Sequence, residues 1–146
     1  MNYSNFLIAL DGSPDSLFAC ETAGTLGPDS NSRIFHLLYC SNPVASLVGG
    51  ETRDKLQKKQ EKTAEEIFAV ACNMLESFGT CRRHFVKGVP AEEIVRVARE
   101  NNCDAIVMGT RGHTRLETFV LGSVSQAVLR HASSPVLLAN TTHVKS

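Results

Sequence analysis

The chain has 146 residues, 42% hydrophobic and 21% charged, which suits one globular domain spanning 1–146 and excludes a fibre, a disordered tail or two full-sized cores. Its 15 Lys and Arg balance 15 Asp and Glu, leaving no basic field to draw nucleic-acid phosphates or anionic lipid, so neither nucleic acid nor membrane is an expected partner. The five cysteines (Cys20, Cys40, Cys72, Cys81 and Cys103) are odd in number, scattered and without a CxxC pair, which argues against a disulfide framework or zinc site and for reduced thiols in the cytoplasm.

The first apolar run, Phe6 to Leu10, follows a leader without a cation and is too short for a secretory signal or a membrane span. It reads as a strand. Ser13-Pro14 then opens a helix, with serine as cap and proline in the first turn, where its missing N–H is harmless. Leu17, Cys20 and Gly24 form the inward face, and Gly27-Pro28 ends it. A second strand runs from Ile34 to Cys40. The longest helix is predicted from Glu51 to Phe78, with Leu56, Ala64, Ile67, Phe68, Ala71, Leu75 and Phe78 as its apolar stripe and a mixed-charge solvated face opposite. Phe85-Val86 marks a third strand. After Pro90, a helix turns Ala91, Ile94, Val95 and Ala98 inward and stops at Asn101-Asn102. Ala105 to Met108 is the fourth strand. A last helix begins near Gly122-Ser123, burying Val124, Ala127 and Val128, and Val136 to Ala139 is the fifth strand. Short continuous apolar runs alternating with amphipathic helices predict a single α/β domain: a doubly wound, Rossmann-like parallel sheet of five strands with helices on both faces.

In such sheets ligands bind outside the carboxyl ends of the strands, where the strand order reverses. Two connections qualify. One is Asp11-Gly12-Ser13, which is also good turn chemistry. The other runs from Gly109 to Ser123 and is about a dozen residues long, where two to six is common. It holds Gly109, Gly112 and Gly122, a local positive bias from Arg111, His113 and Arg115, and a helix N-terminus at Gly122-Ser123, a natural seat for phosphate. Walker A, GxGxxG and GxSxG motifs are absent.

Gly109-x2-Gly112-x9-Gly122-Ser123 resembles the nucleotide-binding signature G-x2-G-x9-G-[ST] of the universal stress protein family. Leu10-Asp11-Gly12-Ser13, Lys87 to Ala91, Asp104 to Gly109 and Ser134 to Leu138 are similar to that family as well, so the likeness runs from Phe6 to Ala139. The resemblance implies a flavodoxin-like fold with strand order 3-2-1-4-5, a homodimer through the C-terminal strand, and ATP with Mg as cofactor. Asp11 would serve the ribose or a bound Mg, the main chain near Cys40 would meet adenine, and Met108 and Gly109 would line the adenosine. Arg111, Gly112, Gly122, Ser123, Val124 and Ser125 would surround the phosphates through backbone N–H, hydroxyl and guanidinium groups. Cys40 departs from the aliphatic residues common at its position.

The expected function is ATP-dependent regulation in the stress response. Hydrolysis would be slow at most, since the loop offers charge stabilisation without a convincing base. A dimeric interaction module without nucleotide is the alternative. An adenylating enzyme of a related fold is disfavoured by the short loop after the first strand. In the expected dimer the last strand pairs with its own copy, and Leu137→Pro should remove a ladder donor.

Overall fold

The computed structural model describes residues 3–26, 32–41, 49–110 and 121–141. Strands β1 (Asn5–Leu10), β2 (Arg33–Ser41), β3 (Gly79–Lys87), β4 (Ala105–Gly109) and β5 (Val136–Ala139) alternate with helices α1 (Pro14–Thr25), α2 (Gly50–Leu75), α3 (Pro90–Glu100) and α4 (Ser123–His131). All four pairings are parallel, and the order across the sheet is β3-β2-β1-β4-β5. This is the flavodoxin-like doubly wound sheet, with its switch point between β1 and β4.

Strand residues alternate between two cores. Phe6, Ile8, Leu10, Phe35, Leu37 and Val107 pack with Ala19, Cys20, Ala64, Phe68 and Leu75 of α1 and α2. Leu7, Leu38, Ile106 and Met108 pack on the other face with Ile94, Val97 and Val128 of α3 and α4. Covering both faces explains why the central strands read as unbroken apolar runs.

Several boundaries differ from the sequence reading. The third strand begins at Gly79, well before Phe85, because β2 supplies a ladder from Arg33 to Ser41 for residues that carry no apolar run of their own. The long helix ends at Leu75, and Phe78 lies in the turn beyond it, its N–H bonded to Leu75 O at 2.9 Å. Leu56 is 40% exposed, and the fully buried residues of α2, Ala64, Phe68, Ala71 and Leu75, all lie in its second half. In α3 Val97 takes the buried place assigned to Val95, and in α1 Ala19 and Ala23 lie deeper than Leu17. Two of the five thiols, Cys20 and Cys103, are buried; Cys40, Cys72 and Cys81 are half-buried, and all are unpaired.

A polar chain crosses the α3 side of the sheet. Asn5 Nδ2 donates to the carbonyls of Asn101 (2.7 Å) and Asn102 (3.1 Å), which leaves its Oδ1 to face His36 Nε2 at 3.0 Å. His36 therefore donates from Nε2 and accepts at Nδ1, 3.0 Å from His84 Nε2, with both rings neutral. Burial, His84 and Arg82 lower the pKa of His36, while burial, Arg82 and Arg96 lower that of His84, each from 6.5. The unfolded chain thus binds protons that the folded one resists. This contribution to stability is complete above the unfolded pKa and is lost as pH falls through the folded values, with a slope of at most about 1.4 kcal/mol per pH unit per proton. Urea midpoints should fall between about pH 7.5 and pH 5, and less steeply in His84→Gln than in wild type. Identical pH profiles for the two proteins would rule out the pair as the source.

Candidate functional site

The connection after β1 is built by its own polar groups. Asp11 Oδ1 accepts from the Ser13 N–H at 2.9 Å, closing an Asx turn. Gly12 sits at φ +83°, a left-handed conformation that suits glycine. Ser13 then caps α1, its hydroxyl accepting from the Ser16 N–H at 3.2 Å, while Ser16 Oγ donates to Ser13 O at 2.9 Å. The turn chemistry read in Asp11-Gly12-Ser13 is realised, and the Asp11 carboxylate still lines the cleft beside it.

Across the switch point, β4 ends at Gly109 against the start of α1. A Cβ on Gly109 would stand 2.7 Å from Asp15 Cβ and 2.9 Å from Asp15 C. The glycine is therefore needed for packing. Beyond it, Thr110 O accepts the Gly122 N–H at 2.7 Å and the Ser125 hydroxyl at 3.2 Å, so the two ends of the long connection are fastened together. Ser125 Oγ also lies 3.0 Å from Gly109 O. The first intrahelical bond of α4 runs from the Gln126 N–H to Gly122 O at 3.0 Å. The N–H groups of Ser123, Val124 and Ser125 precede it and form the positive end of the helix dipole.

These two connections enclose a cleft of about 480 Å³ at the carboxyl ends of β1 and β4, in the range of small-molecule sites. Its lining combines apolar side chains, among them Leu38, Ile94, Met108, Leu121 and Val124, with the polar groups of Asp11, Ser13, Thr110 and Ser123. Asp11, Cys40, Met108, Gly109, Gly122, Ser123, Val124 and Ser125, all picked from the sequence, line it together. Arg111 and Gly112 lie outside the described residues, as do His113 and Arg115. Two assignments change in detail. The Gly122 N–H and the Ser125 hydroxyl are engaged with main-chain carbonyls, which leaves the three following amides and the exposed Ser123 as the donors at the cleft.

Leu38, Pro90, Ile94 and Thr110 were missed. Leu38 could have been found from Cys40, two residues on and on the same strand face. Pro90 and Ile94 belong to α3, which only the packing brings over the cleft.

The Cys40 thiol donates to Gly88 O at 3.4 Å, and burial, then Glu93, raises its pKa, so it stays protonated and is a poor nucleophile. Asp11 is the one carboxylate among the described lining residues. Among the described residues no three His, Cys, Asp or Glu side chains cluster to hold a metal.

The fold is a doubly wound α/β sheet with a cleft at its switch point, lined by both apolar and polar groups. Residues 2–140 match the Universal stress protein family, and the chain belongs to it. It is 30% identical over 138 residues to the universal stress protein MJ0531 of Methanocaldococcus jannaschii, covering 93% of this chain and 81% of that one. Among solved structures, MJ0577 superposes with a TM-score of 0.84 at 24% identity, over 96% of this chain and 97% of the other. A universal stress protein solved in complex with cAMP (TM-score 0.73, 23% identity, 97% of this chain and 100% of the other) shares the fold. So does one from Archaeoglobus fulgidus in complex with dAMP (TM-score 0.65, 21% identity, 95% and 99%).

Proposed function

We propose that this protein binds ATP with Mg in the switch-point cleft and acts as a nucleotide-dependent regulator in the stress response. The observation that carries this reading is the mixed lining of the cleft. Apolar side chains such as Leu38, Ile94 and Met108 suit a purine face, and the free amides in the first turn of α4 suit phosphate. The adenine nucleotides held by the two solved relatives support the same ligand class.

The roles that the resemblance implies carry over as proposed contacts. Met108 and Gly109 line the adenosine, with the chain around Cys40 at the base. The Ser123, Val124 and Ser125 amides and the Ser123 hydroxyl receive phosphate, joined by Arg111 and Gly112 from the glycine signature. Asp11 faces the ribose or a Mg ion. A carboxylate with neighbouring hydroxyls is an all-oxygen donor set that fits Mg, which binds through one or two carboxylates plus phosphate oxygens. Such an ion supplies charge neutralisation of the phosphates.

Binding is better supported than turnover. Hydrolysis needs a group to orient water, and Asp11, already accepting the Ser13 N–H, is the one described carboxylate at hand. Slow hydrolysis at most is the expectation. The unpaired thiols favour a reducing, cytoplasmic setting.

Calorimetry with Mg-ATP on wild type and Gly122→Val tests the reading. Gly122 lines the cleft at φ −63° and ψ 156°, a conformation valine adopts freely, so the substitution adds a side chain there without straining the backbone. Micromolar binding by wild type, weakened at least about 100-fold in the variant, is expected, a loss of roughly 2.7 kcal/mol. A folded wild type that releases no heat would favour the dimeric interaction module instead.

We also propose a homodimer through β5, an edge strand with Leu137 37% exposed. Its register moves the decisive position. Ile106 N–H donates to Pro135 O and Thr110 N–H to Ala139 O, so alternation turns the backbone groups of Leu137 toward β4 as well. Outward donors belong to Val136 and Leu138. Leu138→Pro, rather than Leu137→Pro, should therefore give a folded monomer in sedimentation; an intact dimer would exclude this edge.

A further inference from the structure

We propose that Asp15 couples the nucleotide cleft to the free edge of the sheet, so that filling the cleft orders the end of β5 and the residues just after it. The inference rests on the nucleotide reading above and assigns a regulation to that same site. Asp15 is only 3% exposed, in the first turn of α1, where a carboxylate is favoured by the helix dipole. It is absent from the cleft lining and stands behind it.

Its carboxylate joins two segments that lie far apart in the chain. Oδ2 accepts from the Thr110 hydroxyl at 3.2 Å. Oδ1 accepts from Thr141, from its N–H at 3.1 Å and its hydroxyl at 2.6 Å. Three hydrogen bonds thus converge on one buried carboxyl group, where the low dielectric strengthens each of them.

Thr110 is the junction. Its carbonyl holds the Gly122 N–H at 2.7 Å, and its own N–H donates to Ala139 O at 3.2 Å. A phosphate drawn to the first turn of α4 acts on Gly122, through it on Thr110, and from there on both β5 and Asp15. Asp15 closes the circuit by gripping Thr141 just past the strand. Without the carboxylate, β5 keeps its ladder to β4, while its outgoing segment loses these bonds to α1. Linkage makes the coupling reciprocal: whatever fixes residues 136–141 tightens nucleotide binding by the same factor.

Hydrogen exchange of the amides from 136 to 141, measured with and without saturating Mg-ATP, tests the coupling on wild type, Asp15→Ala, Asp15→Asn and Thr141→Val, with calorimetry run on each. Wild type should exchange severalfold more slowly in this segment when nucleotide is bound. Asp15→Ala should still saturate with Mg-ATP and lose that slowing, and Thr141→Val, which removes the hydroxyl but keeps the main-chain N–H bond to Asp15, should saturate and lose part of it. Asp15→Asn, which keeps an acceptor for Thr141, should recover part of it. Should Asp15→Ala fail to fold, Thr141→Val carries the test alone. Slowing undiminished in Asp15→Ala or in Thr141→Val, or wild type that binds Mg-ATP with unchanged exchange at 136–141, overturns the coupling and leaves the nucleotide reading standing. Wild type that binds no Mg-ATP overturns both.

Discussion

Gly109→Ala should destabilise the protein by about 2–3 kcal/mol and weaken Mg-ATP binding more than about tenfold, because overpacking against a part that cannot yield forces the elements apart. The new methyl group would meet Asp15 Cβ at 2.7 Å, Asp15 C at 2.9 Å and Ser16 N at 3.0 Å. None of these is the free end of a flexible side chain. Two of the three are main-chain atoms in the first turn of α1, and Asp15 is itself tied to Thr110 and Thr141. Relief requires α1 to move away from β4, which opens the cleft between them. Urea unfolding reports the stability and calorimetry the affinity. A variant with wild-type values in both would mean that β4 and α1 do not approach so closely. The contrast with Gly122→Val is the informative part. The first glycine of the signature is expected to fail through packing, with stability and binding falling together. Gly122, in an ordinary conformation at the mouth of the cleft, is expected to lose binding alone.

Gly79→Ala should have an effect of similar or larger size on stability. Its Cβ would fall 2.2 Å from Arg33 O and 2.9 Å from Arg33 C, both backbone atoms of the neighbouring strand, and 3.0 Å from a ring carbon of Phe35. Gly79 and Arg33 are register partners at the start of the β2–β3 ladder. Arg33 has little room to retreat. It is 2% exposed, its guanidinium donates to the carbonyls of Ala23 and Leu26 at the end of α1, and it stands 5.4 Å from the Phe78 ring. We expect about 3 kcal/mol or more, the upper end for a clash that must be relieved by the backbone. At roughly 2–4 °C per kcal/mol for a chain near this size, the melting temperature should drop by ~6–12 °C. The cleft lies at the opposite ends of the strands, so Mg-ATP affinity of the folded variant should change less than about threefold, within ~0.7 kcal/mol. A melting point within a degree of wild type would show that the strand pairing does not begin at Gly79.

How much was legible differs from element to element. β1, β2 and β4 were found to within a residue or two because strands buried on both faces must be apolar throughout, and β5, though an edge strand, is an apolar run as well. β3 is an edge strand and was seen only at Phe85-Val86, since Thr80, Arg82 and Arg83 face water and carry no apolar signal. What makes them a strand is the ladder offered by β2. The charge-rich first half of α2 was read as a solvated face and is exposed, but the same pattern overstated the reach of the apolar stripe at Leu56.

The glycine spacing and the Asp-Gly-Ser turn located the cleft, because backbone approach to a ligand and a left-handed turn each demand residues that stand out in a string of letters. Asp15 did not stand out. Its neighbours in the fold, Thr110 and Thr141, are 95 and 126 positions away. By itself, then, the sequence determined the class of fold, the family resemblance and the loops where a ligand would sit, all of which follow from local pattern and spacing. Only the tertiary structure decided which amides remain unengaged at the cleft, that Gly109 is a packing residue, that Leu138 rather than Leu137 presents an outward donor, and that Asp15 bonds both Thr110 and Thr141. Each of these depends on register or on contacts across layers, where a shift of one residue reverses the direction of a side chain or an N–H, and no local pattern records that choice.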